Sequence, residues 1–348
     1  MKNTLIILIL SGLFTNNSIS AQRVTYPYEI GLWQGFKQAA VSYTFDDDCT
    51  GQLQVAVPLF DRYGFKVTLF TVTNCYPDWK GLQVAANNGH EIASHTVNHP
   101  SLDSISYAQQ TREYRDSKDT IESKIKGQKC VTIAYPYCSC GDSSLCSEFY
   151  IAARSCDGFM EPSTPPNFMC ISSVGCGQDG QVKTAQEFND KIESALPKNS
   201  WCVFMMHGID NDKGYSPLSS KELASHLKFI DANKSKYWVS TFGNVTRYIK
   251  ERNAVSLTVL AKSIKKIKLQ LADSLDNSIY NFPLTIRRPL PKGWKGAIVQ
   301  QGAVKLPLQV VSMNLINYIQ FDAIPNGGII IINKHKKLPP LSDLSFLK

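Results

Sequence analysis

The sequence predicts an α/β domain followed by a smaller all-β domain, and three observations support this. Between residues 39 and 252, short strand-like apolar runs take turns with stretches of helical spacing, which is typical of parallel strands joined by helices. After residue 253, no helical pattern separates the strand-like runs, which favours a β sandwich. Polar residues suited to metal binding or proton transfer follow several predicted strands directly, and parallel α/β folds place their chemistry there.

The strands are predicted from alternating or β-branched apolar runs, and the helices from apolar residues three and four apart. In the α/β part, the predicted strands are 39–45, 66–73, 90–94, 130–134, 201–206 and 237–240, and the predicted helices are 52–63, 81–88, 106–126, 144–153, 184–196, 219–233 and 243–252. In the β part, the predicted strands are 255–260, 266–271, 297–300, 315–321 and 328–332. The Pro-, Gly- and Cys-rich stretch 155–180 is too long for an ordinary connection, so we expect it to be functional or tied by disulfides.

The N-terminus has the pattern of an export signal. Lys2 precedes an apolar run, and small residues at 18–21 suit cleavage. The apolar run is about ten residues long, whereas a membrane span needs about twenty. We therefore predict a signal peptide at 1–21, an α/β domain at 22–253 and a β-rich domain at 254–348. The protein is then secreted or periplasmic and has no transmembrane segment.

All ten cysteines lie between residues 49 and 202. In an exported protein, an even number of cysteines predicts disulfides. The pairs Cys138/Cys140 and Cys170/Cys176 also suggest a metal knuckle, but their spacing is not that of a zinc finger. We therefore favour disulfides, whose pairing the sequence does not give.

The basic charge belongs to the C-terminal part of the chain. Residues 254–348 carry 13 Lys and Arg against 4 Asp and Glu, whereas the other 253 residues carry 24 against 25. The lysine cluster at 262–268 is typical of a solvated face, although a basic sheet can also hold an acidic glycan or the cell surface. We expect no nucleic-acid partner, and the oligomeric state is left open.

Two short clusters carry the candidate chemistry. TFDDD at 44–48 follows a predicted strand, and HTVNH at 95–99 places His95 and His99 four residues apart. Two imidazoles and one carboxylate suffice to hold a zinc-type cation with positions left open. A neighbouring carboxylate is then free to accept a proton. The acidic run can also be read as a solvated turn or helix cap, but three adjacent acids repel one another unless a cation holds them.

Four motifs follow one another in the order of a known family: TFDDD, GHEIASHTVNH at 89–99, YPY at 135–137 and FMMHG at 204–208. Over residues 39–252 the sequence resembles the polysaccharide deacetylase family, also called carbohydrate esterase family four or the NodB-homology domain. The resemblance implies a distorted (β/α) barrel with fewer than eight strands. It also implies hydrolysis of acetyl groups on a polysaccharide with a divalent metal, Zn²⁺ before Co²⁺ or Ni²⁺.

The resemblance implies a role for each motif residue. The metal ligands of the family match Asp47, His95 and His99. Asp46 matches the general base that activates the metal-bound water, and His207 matches the general acid that protonates the leaving group. Tyr137 matches the tyrosine whose backbone N–H helps to hold the oxyanion.

Three positions depart from the family pattern. Ala134 stands where the family has an arginine beside the base, and Arg154 is a candidate to replace it. Asp48 stands where the family has a glycine, which adds a charge near the metal site. The fourth motif, which supports the acid histidine, has no clean match, and Asp157 and Asp179 are the candidates in the long loop.

Other ring-bearing side chains are open to structural readings. We interpret His90 as structural rather than as a ligand, and we place His226 on a surface helix and His335 in a basic tail of the β domain. Aromatic faces suit sugar rings. The candidates for sugar stacking, or equally for the core, are Trp33, Trp79 and Tyr135.

Two classes of function fit the sequence. The first is a deacetylase, with N-acetyl groups of a chitin-like or peptidoglycan chain as the first choice and O-acetyl groups of xylan as the alternative. The second is a carbohydrate-binding surface protein whose catalysis has decayed, which the missing arginine and fourth motif permit. The intact acid and histidine motifs favour the first class.

Overall fold

The computed structural model describes residues 23–336. The predicted signal peptide at 1–21 lies outside the described residues, as does the end of the predicted β-rich domain at 337–348. Within residues 23–336, no helix combines the length and the apolar character needed to cross a bilayer.

The described chain forms eighteen strands and seven α-helices. The strands are β1 (Arg23–Val24), β2 (Glu29–Ile30), β3 (Ala39–Asp46), β4 (Thr68–Thr71), β5 (Glu91–Ser94), β6 (Thr132–Ala134), β7 (Ala152–Arg154), β8 (Val174–Gly175), β9 (Trp201–Met206), β10 (Tyr237–Val239), β11 (Ser256–Lys262), β12 (Lys266–Ala272), β13 (Leu284–Pro289), β14 (Gly296–Gln301), β15 (Val304–Leu306), β16 (Gln309–Met313), β17 (Ile316–Ala323) and β18 (Ile330–His335). The helices are α1 (Val57–Arg62), α2 (Trp79–Asn87), α3 (Tyr107–Lys124), α4 (Ser143–Phe149), α5 (Ala185–Glu193), α6 (Ser220–Ala232) and α7 (Phe242–Ala254). A π-helical turn at Gln52–Ala56 leads into α1.

The central sheet is parallel and follows the order β7-β6-β5-β4-β3-β9-β8. The short strand β10 lies off this path and pairs only with the start of β3. Helices follow most of these strands, so the sheet curls into a half-barrel whose path has seven strands. The prediction of a distorted α/β barrel with fewer than eight strands is confirmed.

Strand β3 lies at the centre of this sheet, and all eight of its residues are buried. Val41, Tyr43 and Phe45 join the core under the outer helices, whereas Ala40 joins the core on the other face. Burial of each large side chain contributes about 2 kcal/mol. Because both faces are covered, the polar residues of β3 are buried as well, and they are Ser42, Thr44 and the terminal Asp46.

The β-rich part is a sandwich of two sheets. One sheet has the order β1-β11-β12-β18-β14-β15, and the other has the order β16-β17-β13-β2. Alternate residues of β12, among them Ile267 and Leu269, share a core with Ile286 and Ile319 of the facing sheet. The all-β prediction is therefore confirmed.

Two short N-terminal strands complete the sandwich. β1 pairs with β11 at Ser256 and Leu257, and β2 pairs with β13 at Ile286 and Arg287. Residues 23–30 were assigned to the α/β domain from the sequence, but they pair with the C-terminal sheets. The division into domains otherwise stays a prediction.

Helix α7 joins the barrel to the sandwich. Its buried face, which includes Val245 and Ile249, belongs to the same apolar cluster as the sandwich core. At its start, the Gly243 backbone N–H donates to Glu91 at 2.8 Å, and at its middle the Tyr248 hydroxyl donates to the Gly31 carbonyl at 2.7 Å. A carboxylate at a helix N-terminus is favoured by the helix dipole.

One predicted helix is partly wrong. The stretch 144–153 forms a helix only to Phe149, and Ala152–Arg154 is a strand paired with β6. Two adjacent alanines favour a helix by propensity, but propensity is a weak guide where tertiary pairing buries the segment. The sequence analysis also missed β8, β13, β15 and β16. Strands β8 and β15 have only two and three residues, and β13 contains two arginines and a proline.

Three aromatic residues that the sequence left open between sugar stacking and the core lie in or against the core. Trp33 and Tyr135 are fully buried in the two cores and are not available to sugars. Trp79 is half-buried and packs against the barrel core. His226, expected on a surface, is fully buried and shares a 2.6 Å hydrogen bond with the Tyr43 hydroxyl.

We predict that His226 makes stability depend on pH. Burial lowers the pKa of His226 from 6.5 to about 3, so between these values the unfolded chain binds a proton that the folded chain does not. The unfolding free energy therefore falls as pH falls below about 6.5, by up to about 1.4 kcal/mol per pH unit. Urea unfolding between pH 4 and 8 measures this slope.

His226→Gln removes the titrating group, so we expect lower stability at pH 7 but a shallower slope. Tyr43→Phe is the matched control, because it removes the hydrogen bond and keeps the histidine. An equal slope in the wild type and His226→Gln contradicts the prediction.

Candidate metal and catalytic site

The predicted site residues meet at the carboxyl ends of the parallel strands. Asp46 is the last residue of β3, and His95 and His207 directly follow β5 and β9. Tyr137 lies just after β6. The structure thus brings together the side chains that the sequence placed after predicted strands.

Three of them form a cluster that can hold a metal ion. One ligand atom each of Asp47, His95 and His99 lies within 4.8 Å of the others. The Asp47 Oδ1 atom is 3.5 Å from His95 Nε2 and 3.4 Å from His99 Nε2. One carboxylate and two imidazoles are a donor set that suits Zn²⁺ or a similar cation.

The backbone of this cluster is strained. Asp47 has φ 72°, Thr96 has φ 71° and His99 has φ 55°. A non-glycine residue in this left-handed region costs on the order of 1 kcal/mol. Such a cost is tolerated where the surrounding structure holds the residue. Here the left-handed backbone accompanies side chains of Asp47 and His99 that face each other.

A backbone carbonyl fixes the orientation of the His95 ring. Its Nδ1 atom donates to the Ala134 carbonyl at 2.8 Å, which leaves Nε2 as the acceptor facing Asp47. Burial lowers the pKa of His95 to about 4, although Asp46 and Asp47 oppose the shift. The neutral imidazole is the form that ligates a metal, and a carbonyl partner on the second nitrogen is common at metal sites.

Asp46 is buried and paired with Arg154. The Arg154 Nη2 group donates to Asp46 Oδ2, and both side chains are almost fully buried. Burial raises the pKa of Asp46, but Arg154, His95 and His207 outweigh it and leave the pKa below its usual value. The Oδ1 atom is buried and has no hydrogen-bond partner in residues 23–336. The base candidate is thus ionised and has one oxygen free.

Arg154 occupies the place of the arginine that the sequence lacks at Ala134. The two residues are register partners on neighbouring strands β6 and β7. The guanidinium also lies 5.4 Å from the centre of the Phe70 ring. The guanidinium therefore reaches Asp46 from β7, the strand next to the one that carries Ala134.

His207 faces the acidic pair from the other side. Its Nε2 atom is 3.7 Å from Asp46 Oδ2 and 3.9 Å from Asp47 Oδ2. Its ring meets the Tyr215 ring edge to face at 5.0 Å. The Nδ1 atom is buried without a hydrogen-bond partner in the described chain.

Neither of the two aspartates considered for the support of His207 bonds to it. Asp157 accepts a hydrogen bond from the Ser155 hydroxyl at 2.6 Å. The backbone N–H of Asp179 donates to the Ser216 hydroxyl at 3.0 Å. Within residues 23–336, the acid candidate has no carboxylate behind it.

Asp48, the extra charge of the TFDDD motif, has a structural role. Its Oδ2 atom accepts a hydrogen bond from the Val72 backbone N–H at 2.9 Å, just beyond β4. Burial raises the pKa of Asp48 to about 7, with Asp47 and Asp46 adding to the shift. The side chain ties the turn after β3 to the end of the neighbouring strand.

The loop after β6 carries Tyr137 and is tied to the long loop. The Tyr137 ring meets the His99 ring at 4.6 Å and is 70% exposed, so it forms part of the rim of the site. A disulfide joins Cys138 to Cys156, which confirms in part the prediction of disulfides. The other eight cysteines are free thiols.

Sequence reasoning missed three residues that hold the site loops. Glu113 on α3 accepts hydrogen bonds from the Val97 and Asn98 backbone N–H groups, at 2.8 and 2.9 Å. Gln52 donates to the carbonyls of Asp46 and His207, and Asp212 accepts from the backbone of residues 51, 209 and 214. Glu113 gave no signal in a polar helix.

The half-barrel and its Asp–His–His cluster define a distorted (β/α) barrel with a candidate metal site at the carboxyl ends of its strands. Residues 34–148 match the model of the polysaccharide deacetylase family. This match covers β3 to β6 and bears out, for that part of the chain, the resemblance seen in the motifs.

Two proteins with similar sequences have different described activities. A gellan lyase of a Bacillus species is 28% identical over 326 residues, which cover 87% of this chain and 13% of that protein. A Bacillus subtilis (strain 168) protein described as a polysaccharide deacetylase is 31% identical over 104 residues, which cover 28% of this chain and 37% of that protein. The chain thus spans well under two thirds of these relatives.

A solved structure from Mycobacterium smegmatis, described as a polysaccharide deacetylase, has the same fold. It has 15% identity and a TM-score of 0.51, and the match covers 67% of this chain and 97% of that chain.

We predict that the isolated protein binds one divalent cation through Asp47, His95 and His99. Calorimetric titration with Zn²⁺ and Co²⁺ of chelator-treated protein measures the affinity. Asp47→Ala and His95→Ala each remove a ligand, so we expect at least a tenfold loss of affinity, by analogy with the loss seen for groups that only orient a ligand.

His335→Ala, at the exposed end of β18, is the control and retains the wild-type affinity. Equal affinity in the wild type and Asp47→Ala contradicts the assignment of the site.

Proposed function

We propose that this chain is a metal-dependent hydrolase that removes acetyl groups from a polysaccharide or oligosaccharide, with N-acetyl groups as the first choice. The observation that carries the proposal is the arrangement around Asp46. An ionised, buried carboxylate with one free oxygen lies beside the Asp47, His95 and His99 cluster. Residues 34–148 also match the model of the polysaccharide deacetylase family.

Asp47, His95 and His99 would hold the cation, because their ligand atoms converge and His95 is already oriented by the Ala134 carbonyl. When bound, a divalent cation supplies Lewis-acid polarisation of the acetyl carbonyl and lowers the pKa of a water to about 7. Zn²⁺ is our first choice, with Co²⁺ and Ni²⁺ as alternatives.

Asp46 takes the proton of the attacking water. Arg154 keeps Asp46 ionised, and the free Oδ1 atom is the acceptor. A positioned base of this kind contributes roughly a hundredfold to ten-thousandfold to a rate. The water oxygen forms its bond to the acetyl carbon as the proton moves to Asp46.

His207 gives a proton to the leaving group as the bond from the acetyl carbon to nitrogen or oxygen breaks. Its Nε2 atom lies 3.7 Å from Asp46 Oδ2, and the Nε2 atom of His95 lies 3.9 Å from the same oxygen. An amine leaves poorly without a proton, so this role matters more for an amide than for an ester. The Tyr137 backbone N–H is our candidate donor to the oxyanion.

Two alternatives remain distinct from this proposal. The first is an O-acetyl esterase on xylan-type chains, which passes through the same tetrahedral intermediate. The second is a carbohydrate-binding protein without catalysis. The burial and pairing of Asp46 speak against decay, because an ionised carboxylate is costly to bury where it has no use.

We predict that the protein releases acetate from N-acetyl chitooligosaccharide in a reaction that a chelator stops. Acetylated xylan is the second substrate of the same assay. Asp46→Asn lowers kcat by a factor of about 100 to 10,000, because the base is lost. His207→Ala lowers kcat more on the amide than on the ester.

The control is Asp119→Asn, which removes the same charge from an exposed position on α3 and leaves the rate unchanged. Chelator-sensitive acetate from xylan alone identifies the esterase. No acetate from either substrate, together with glycan binding that Asp46→Asn leaves intact, identifies the binding protein.

We predict that Arg154 positions the base and that its charge can be supplied from Ala134. Arg154→Ala lowers kcat at least tenfold, because Asp46 is left buried and unpaired. Arg154→Lys restores part of the activity. Ala134→Arg in the Arg154→Ala background also restores part of it, because the two positions are register partners on the same face of the sheet.

Zn²⁺ affinity is measured beside each rate, since a purely structural effect would lower both. Loss of activity that neither rescue recovers contradicts the role of Arg154.

A further inference from the structure

Two half-buried cysteines lie in contact beside the disulfide at the rim of the site. The Sγ atoms of Cys140 and Cys170 are 3.3 Å apart, although the residues are 30 positions apart in the chain. Carbon atoms that are not bonded to each other pack at about 3.5–4.0 Å, and sulfur is larger than carbon. A disulfide bond is about 2.05 Å long, so the two sulfurs are only about 1.3 Å from bonding distance.

The backbone around Cys170 is held in place by the barrel. The Ile171 backbone N–H donates to the Ala153 carbonyl of β7 at 2.9 Å. The Tyr135 hydroxyl donates to the Met169 carbonyl at 3.0 Å. Cys170 therefore lies between two anchored residues, although it belongs to the long loop at 155–180.

The backbone around Cys140 is held as well. The Ser139 hydroxyl accepts a hydrogen bond from the Asp103 backbone N–H at 3.2 Å. The Asp142 backbone N–H donates to the Gln110 side chain of α3 at 2.8 Å. Contacts that do not involve the sulfur atoms thus bring the two cysteines together. Bond formation then requires side-chain rotation rather than a rearrangement of either loop.

The exposure of this pair differs from that of the core thiols. A free cysteine in a core acts as a small apolar residue, and four of the thiols are fully buried: Cys130, Cys146, Cys176 and Cys202. Cys140 and Cys170 are only half-buried, so an oxidant can reach them. The disulfide between Cys138 and Cys156 joins the same two loops, and disulfides persist in oxidising compartments.

A bound metal explains the contact less well than a disulfide does. Two sulfurs on one tetrahedral zinc lie about 3.8 Å apart, because each Zn–S bond is about 2.3 Å long. Structural zinc also needs four ligands. Within residues 23–336, the three residues whose ligand atoms converge are Asp47, His95 and His99. The cysteine pair therefore lacks the further ligands that a metal requires.

We propose that Cys140 and Cys170 form a second disulfide in the exported protein, and that the two disulfides together clamp the Tyr137 loop (residues 135–142) to the long loop. The oxidant is a disulfide that acts by thiol–disulfide exchange. One thiolate attacks this disulfide, and the other thiolate then displaces the oxidant from the mixed disulfide. The two thiols lose two protons and two electrons, and the oxidant leaves as a dithiol.

The clamp acts on a backbone that needs support. Tyr137 and Cys138 have φ 54° and 59°, and non-glycine residues persist in this left-handed region only where the surrounding structure holds them. The bond to Cys156 fixes the loop at one residue, about which the loop can still turn. A second bond at Cys140 removes this freedom and orients the Tyr137 backbone N–H. The effect on catalysis rests on the proposed function, whereas the disulfide itself does not.

Peptide mapping of the full chain, exported to an oxidising compartment, tests the bond. The chain is unfolded and alkylated with N-ethylmaleimide at slightly acidic pH, where exchange between disulfides is slow. Unfolding is necessary because burial, with the contact to Cys170, raises the pKa of Cys140 to about 12. A folded thiol of this kind reacts slowly even when it is free. We expect Cys140 and Cys170 to escape alkylation.

Variants identify the pairing, because Cys138 and Cys140 stay on one peptide. Cys140→Ser frees only Cys170 for alkylation, and Cys170→Ser frees only Cys140. The control is Cys75→Ser, which removes an exposed thiol and leaves the link in place. Alkylation of both Cys140 and Cys170 in the wild type overturns the proposal, as does a bond of either cysteine to another partner.

Thermal unfolding measures whether the two cysteines act as one unit. Cys140→Ser, Cys170→Ser and the double variant all lose the same bond, so we expect the same fall in Tm in all three, of at least about 3 °C. Falls that add in the double variant indicate two independent thiols. Additive falls, or no fall in any variant, contradict the clamp.

The acetate-release assay measures the effect on Tyr137. We expect each single Ser variant to lower kcat by the same factor, at least about threefold, because small misplacements of a catalytic group are costly. Zn²⁺ affinity stays unchanged, since none of the metal ligands lies on the clamped loops. An unchanged kcat contradicts the effect on Tyr137.

The bond is detected without any turnover, so the two proposals fail separately. If Cys140 and Cys170 are linked but the protein releases no acetate, the disulfide stands and the proposed deacetylase activity fails. If the protein releases acetate while both cysteines are thiols, the reverse holds.

Discussion

The buried strand β3 is the constraint on which the site depends. It pairs in parallel with β4, β9 and β10, and both of its faces are covered, so it cannot slide by one residue without turning Tyr43 and Phe45 out of their core. The register of β3 fixes where the strand ends. Because it ends at Asp46, the base candidate and the metal cluster inherit their position from the packing of apolar side chains on the same strand.

Arg154 shows that a sheet can keep a charge in place while the sequence position changes. Asp46 requires a cation because it is buried, and a buried carboxylate without one would be neutral or strongly destabilising. Ala134 and Arg154 are side by side on β6 and β7, so either strand can deliver the guanidinium to the same point. The motif along β6 contains Ala134, whereas the neighbouring strand β7 supplies Arg154. Asp46 requires a guanidinium at one point in space, and the sequence position that supplies it can differ.

The sequence was sufficient for features with strong local signals. The spacing of His95 and His99, together with the resemblance of the motifs to the family, predicted that these histidines and Asp47 form one group, and alternation predicted β3 and β9 almost to the residue. It was insufficient where tertiary pairing decides. Strands β1 and β2 have two residues each, too few for any periodicity. Arg154 lay in a stretch read as helix, and His226 occupied a helix whose buried face only the packing of Tyr43 reveals.

The two ends of the described chain meet in the same sandwich, and this has a consequence for the order of assembly. Thr25 bonds to Leu257, which follows it by 232 residues. When a ribosome makes the chain from its first residue, β1 and β2 must wait for nearly the whole barrel before their partners exist. Contacts of such long sequence separation form slowly. The pairing of β1 with β11 and of β2 with β13 can therefore form only after the barrel segment between them has been synthesised.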